Sequence, residues 1–360
     1  MHSNRTLLRV EALEARTTPN VGPIPAGGGN VQAYLSGGNL YIIGDAGNNS
    51  LALWNVTPNA IRIQGGAGTT INGSSTALTF ALGAGKSVFI NLRGGDDFIV
   101  LGDNTADSDT RSLAILGNLR IDLGAGNNTV GLENLFVGGT TTIRAGVGDD
   151  TVDIDTTLGS PTYLRRNLTV SLNDGTNTVT GSTFGVGGNV SITTGADDDT
   201  ITLANATIAR NLLIAANDGL NAITVSDSDV DGNITRISTG VDDDNISLNG
   251  SDFKRLFVLA GDGNNTVDVG QAGDGVTAVS LNVTTGIGDD TVNITHSDFT
   301  LASSVSTGDG DDTVTVSGSS FLPGGLTADG GAGTGDTFNG LDSSFGNAGS
   351  FTLFFFETTI

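Results

Sequence analysis

The stretch NVSITTGADDDTITLANATIAR, residues 189–210, decides the fold. "NVSI" and "TITL" alternate polar and apolar side chains, the pattern of strands buried on one face. Between them "TTGADDD" supplies the glycine and aspartates of a tight turn. A third short strand is expected to end at Ile208. Nothing in the stretch has a helical period. One such unit has too little apolar surface to fold alone, so it must stack on copies of itself.

Copies are present on both sides. An acid or amide pair followed by an aliphatic residue recurs as Asn48-Asn49, Asp96-Asp97, Asn127-Asn128, Asp149-Asp150, Thr176-Asn177 and Asp198-Asp199. It continues as Leu220-Asn221, Asp243-Asp244, Asn264-Asn265, Asp289-Asp290, Asp311-Asp312 and Gly335-Asp336. The 48-residue gap between Asn49 and Asp97 is expected to hide one weak coil around "IRIQGGAGTTING" (61–73). The fold expected is all-β: a parallel β-helix, or β-solenoid, of about 13 coils with three short strands each. The usual coil length is about 22–24 residues, and strands stacked ~4.8 Å apart give a rod on the order of 60 Å. The pattern resembles the right-handed parallel β-helix proteins, and that resemblance implies the same hand.

Stacking turns equivalent positions into columns. Val152, Val179, Ile201, Ile223, Ile246, Val267, Val292 and Val314 are expected to form one inward column. Ile208 with Phe136, Phe184, Phe253, Phe299, Phe321 and Phe345 is expected to form a second, as core and not as a sugar-binding strip. From Asp97 to Asp290 the second pair member alternates Asp and Asn, and Arg166, Arg210 and Arg255 mark three of the Asn-type coils. The alternation separates charges that would otherwise lie one coil apart; it also fits duplication of a two-coil ancestor. At the corner itself the aspartates are expected to face outward.

Composition narrows the function classes. The 360 residues carry a formal charge of −24, 55 glycines and no cysteine. Only Glu11, Glu14, Glu133 and Glu357 are glutamates; aspartate, the residue of turns and hard-metal ligation, supplies the other acids. So acidic a chain should repel nucleic acid and anionic membrane. The run "FTLFFF" (351–356) is too short to span a bilayer. "LRVEALEARTTPN" (8–20) resembles the LExLExR…P leader of bacterial surface and extracellular repeat proteins, which implies an extracellular or cell-surface location.

The alternation breaks near the C-terminal end. Asp289-Asp290 and Asp311-Asp312 fall on adjacent coils, with Asp309 beside them and Asp336 on the next; no Lys or Arg follows Arg255. Here the sequence resembles the repeats-in-toxin (RTX) nonapeptide G-G-x-G-x-D-x-U-x. "TGDGDDTVT" (307–315), "AGVGDDTVD" (145–153) and "TGIGDDTVN" (285–293) match it at all but the first glycine. The resemblance implies calcium held between turns, with Asp289, Asp290, Asp309, Asp311 and Asp312 as first candidates and Asp149, Asp150 and Asp336 as further ones. RTX coils hold two such turns in about eighteen residues, whereas this chain has one per coil and replaces Asp by Asn in alternate coils. An acidic turn without an ion fits the same residues.

No nucleophile–base constellation surrounds His296, and no P-loop, HExxH or GxSxG motif is present. No catalytic residue is assigned, and an enzyme is not expected. The longest insertions are "LGDNTADSDTRSL" (101–113), with Asp103, Asp107, Asp109 and Arg111, and "DTTLGSPTYLRR" (155–166). The function expected is a structural or adhesive surface rod, monomeric and open to end-to-end association. The alternative is a polysaccharide-active or polysaccharide-binding protein, with extracellular polysaccharide or cell-envelope components as partners. The divisions expected are a leader at 1–22, irregular N-terminal coils at 27–90, regular repeats at 91–342 and a C-terminal cap at 343–360.

Overall fold

The computed structural model describes residues 27–102, 112–155, 161–345 and 351–359. The leader segment and most of the 101–113 insertion lie outside the described residues. Those described contain strands and no helix, and they wind into a β-solenoid of stacked parallel coils. One coil consists of Thr200–Ala204, Thr207–Ile208 and Leu212–Asn217, so the three-strand unit read from 189–210 is the unit observed.

The first strand of each coil pairs in parallel with its counterparts above and below. Thirteen such strands stack from Ser50–Thr57 to Thr358–Thr359. Their register runs Val130↔Val152↔Val179↔Ile201↔Ile223↔Ile246↔Val267↔Val292↔Val314. Every member of this column is buried, as its period-2 alternation requires. On the long third face Ile42, Ile90, Ile121, Ile143, Val170, Ile192, Ile214 and Ile237 form a second inward column. Aliphatic side chains from the faces thus meet in one continuous core.

Two expectations need correction. Phe136 and Phe184 are not counterparts of Ile208. The inward column there is Val137, Leu164, Val186, Ile208 and Val230; Phe136 is in register with Tyr163, on the other side of the strand. A shift of one residue changes the face on which a side chain lies. Phe299, Phe321 and Phe345 do stack, with ring centroids 4.9 and 5.8 Å apart. The second correction concerns the gap after Asn49. Ser50–Leu53 stacks directly on Phe98–Leu101, so no coil is hidden between them. Residues of the gap instead form antiparallel strands, Ala60–Gly65 against Ser50–Thr57 and Leu78–Ala81 against Ala60–Gly65.

This antiparallel excursion, with the hairpin of Gly29–Ser36 and Asn39–Ile43, blunts the N-terminal end of the sheet. At the other end Phe351 and Phe356 pack on Phe338, 5.3 and 5.7 Å between centroids. There the strands Phe351–Phe354 and Thr358–Thr359 continue the parallel stack.

Candidate functional site

Three corners close each coil, and each is tied to its neighbours by side chains. The corner carrying the Asp/Asn pair is the most elaborate. Two residues before the inner pair member the chain takes a positive φ, as at Gly175 (127°), Asp197 (88°) and Gly219 (102°). At some corners glycine is required by space as well: a Cβ on Gly310 would collide with the carbonyl of Gly288.

The second member of each pair is buried. This corrects the expectation of outward aspartates, because Asp97, Asp150, Asp199, Asp244, Asp290, Asp312 and Asp336 all point into the coil. Their Oδ1 atoms, with those of the intervening Asn residues, form an unbroken ladder. The Asn177 N–H donates to Asp199 Oδ1 at 2.8 Å, Asp199 N–H to Asn221 Oδ1 at 3.1 Å, and Asn221 N–H to Asp244 Oδ1 at 2.9 Å. The series starts with Asn49 N–H on Asp97 Oδ1 and ends with Asp336 N–H on Glu357 Oε2.

The first pair member is exposed and builds a ladder of opposite polarity. Asp149 N–H donates back to Asn127 Oδ1, Asp289 N–H to Asn264 Oδ1 and Asp311 N–H to Asp289 Oδ1. At a second corner Ser228, Ser251, Ser297 and Ser319 repeat the inner pattern. Ser228 N–H donates to Ser251 Oγ and Ser297 N–H to Ser319 Oγ, both at 3.0 Å.

Asp and Asn differ at the remaining side-chain atom. Nδ2 of Asn177 donates to the Asn173 and Gly175 carbonyls, both at 2.7 Å, and Asn221 and Asn265 repeat this within their own coils. The matching Oδ2 of Asp97, Asp150, Asp199, Asp244, Asp290, Asp312 and Asp336 is buried with no hydrogen-bond partner. Burial, which disfavours the charged form, pushes the Asp97 carboxyl up to about 7 and those of Asp150 and Asp290 to about 6. It also raises Asp199, Asp244, Asp312 and Asp336.

The calcium candidates are therefore split between two sides of one corner. Asp289, Asp309, Asp311 and Asp149 are exposed, whereas Asp290, Asp312, Asp150 and Asp336 are buried with Oδ1 occupied by a backbone N–H. Among the described residues no group of three or more His, Cys, Asp or Glu is placed to hold a metal ion. His296 is exposed at the edge of a strand, with φ 50°.

Two features lie outside the expected sites. Glu133, Asp153 and Asp155 are buried on adjacent strands, with Glu133 in register with Asp155. The Thr180 hydroxyl donates to Asp153 Oδ1 at 2.7 Å; burial outweighs that bond and lifts the carboxyl to about 6, with Asp155 adding to the rise. Alternation along "TVDID" places Asp153 and Asp155 together but does not foretell their burial. The second feature is a column of rings on the third face, Tyr34 on Tyr41 at 5.5 Å and Tyr41 on Phe89 at 5.0 Å. The hairpin that brings Tyr34 against Tyr41 is antiparallel, so a search for parallel repeats does not find it.

No family model, curated protein or solved structure matches this chain.

Proposed function

We infer that the protein is a non-enzymatic structural or adhesive rod of a bacterial surface or its surroundings. The observation that supports this most is the continuity of the inner ladder, from Asn49 to Glu357, one hydrogen bond per coil. Such a design favours a stiff element of fixed cross-section over a cleft built from variable loops. The leader-like segment and the acidic surface support placement outside the cell. Protease shaving of intact cells of the native host, followed by peptide mapping, tests this; a chain protected until lysis overturns it.

Calcium belongs to this reading on the strength of the repeat motif. Asp289, Asp309 and Asp311 are exposed on neighbouring turns, with Asp290 and Asp312 behind them. Millimolar calcium should raise the melting temperature and EDTA lower it, with Asp312→Asn weakening the response more than Asp199→Asn. A melting curve unchanged by calcium removes calcium and leaves the rod.

A polysaccharide-binding face is a second reading, favoured by the Tyr34–Tyr41–Phe89 column. Tyr34 is 44% exposed, and Arg120 follows Phe89 in register. Aromatic rings beside planar polar groups suit sugar rings. A glycan array with wild type and Tyr34→Ala/Tyr41→Ala decides: binding lost in the variant supports this face, and no binding by wild type rejects it.

A further inference from the structure

The inner ladder demands two things of each residue in it. Oδ1 must accept a backbone N–H from the preceding coil, and the other polar atom, being buried, needs a partner of its own. Asn meets both demands, as Asn177 and Asn221 show. Serine meets them at the second corner: Ser251 Oγ accepts from Ser228 N–H and donates to the Asn249 carbonyl at 2.8 Å. An ionised aspartate cannot, because a carboxylate only accepts; a protonated one can, because it carries one O–H. A buried acceptor left without a donor, as Oδ2 of Asp97, Asp199 and Asp244 is, is costly.

The neighbouring threonines leave Oδ2 of Asp199 and Asp244 without a hydrogen-bond partner. Thr194 and Thr239 stand beside Asp199 and Asp244. Their hydroxyls donate elsewhere, to the Ala216 carbonyl at 3.1 Å and the Ala260 carbonyl at 3.0 Å. A hydroxyl has one hydrogen to give; any share of it that reaches the carboxyl favours the ionised form, and burial outweighs it. In the Asn-type coils the equivalent positions are apolar, Leu172, Ala216 and Ala260.

We propose that Asp97, Asp199 and Asp244 are held as neutral carboxylic acids, each Oδ2–H donating within its own coil as the neighbouring Asn amide does, so that the rod carries protons as structural ligands. Burial and neighbouring carboxylates oppose ionisation of all three, and they outweigh the hydrogen bonds that favour it. Asp199 has neutral Asn177 and Asn221 on the coils either side, and the charged group acting on it is Asp197. Asp244 lies between Asn221 and Asn265 and is acted on by Asp242. Asp97 lies between Asn49 and Asn128 and is acted on by Asp45 and Asp96. Burial raises all three carboxyls. Their stabilising contribution is complete below the ordinary carboxylate range and is lost as pH rises through their folded values.

The test uses the full chain with EDTA present, so that no divalent cation can substitute for the proton. Thermal melting of wild type and of Asp199→Asn/Asp244→Asn is compared at about pH 5 and about pH 8. Wild type should lose several degrees between the two. The variant should lose less and melt a few degrees above wild type at the higher pH. A variant that melts below wild type by the same margin at both pH values overturns the proposal. Infrared spectroscopy of wild type supplies a readout independent of the variants. A protonated-carboxyl C=O stretch should be present in the folded rod at about pH 5.5, above the ordinary carboxylate range, and vanish on unfolding; its absence from the folded protein overturns the proposal.

Discussion

Asn177 and Asp199 occupy the same position on adjacent coils, and the backbone N–H of the first donates to Oδ1 of the second at 2.8 Å. Asn177 itself accepts from Asp150 N–H at 3.2 Å. The two side chains are interchangeable as acceptors and unlike as donors. Replacing Asn177 with Asp removes the bonds to the Asn173 and Gly175 carbonyls and sets three acids on consecutive coils. The expected cost is about 1–3 kcal/mol, larger at alkaline than at acid pH, read by chemical denaturation at both.

The register of the second face separates Val137 from Phe136. Val137 is buried, and Phe136 stacks outward on Tyr163 at 6.2 Å. Val137→Asp should destabilise by about 3 kcal/mol or more, because a buried acid there has no partner. Phe136→Asp should cost about 1 kcal/mol. Equal losses by thermal melting would show that the inward column had been misassigned.

Sequence periodicity made the coil, the corners and the main aliphatic column legible, because each depends on a two-residue alternation repeated many times. The same rule, carried two residues further back, places Asp312 on the side of Val314 and Val316. An outward aspartate is the expectation there because carboxylates at glycine turns usually face water or metal. What overrode that tendency is a backbone N–H on the neighbouring coil, which is visible only once the coils are stacked. The Thr residues five before Asp199, Asp244, Asp290 and Asp312 carried part of the same signal. Phe136 departs from the inward column because it lies one residue before Val137; Phe184 is buried in the core as expected but lies two residues before the inward Val186. The burial of Glu133, Asp153 and Asp155 has no periodic signature at all.

Thr180 offers a control on the second acidic group. Its hydroxyl favours the ionised form of Asp153, whose carboxyl burial has raised to about 6. A raised group contributes stability that is full at acid pH and lost as pH rises through the folded value. Thr180→Val should move that loss to higher pH and deepen it by about 1 kcal/mol, measured as melting temperature against pH. A profile that superimposes on wild type would remove Thr180 from the account.

At the C-terminal end, deletion after residue 349 removes Phe351, Phe356 and the strands that cover Leu326–Asp329 and Thr337–Phe338. The exposed edge and the uncovered Phe338 should make the product self-associate. Size-exclusion chromatography checks this, and a monomeric, soluble product would contradict a capping role.

The opposed ladders also bear on how such a rod could be lengthened. Residues 178–221 run from just after one Asn corner to the end of the next and contain Asp199 between them. Inserting a second copy of this cassette after Asn221 would leave every rung with the neighbour type it has now, and add roughly 10 Å to the axis. A single-coil insertion would set like against like. Between Asp97 and Asp290 the stack is thus modular in steps of two, and beyond Asp290, where Asp312 and Asp336 follow on consecutive coils, that increment no longer holds.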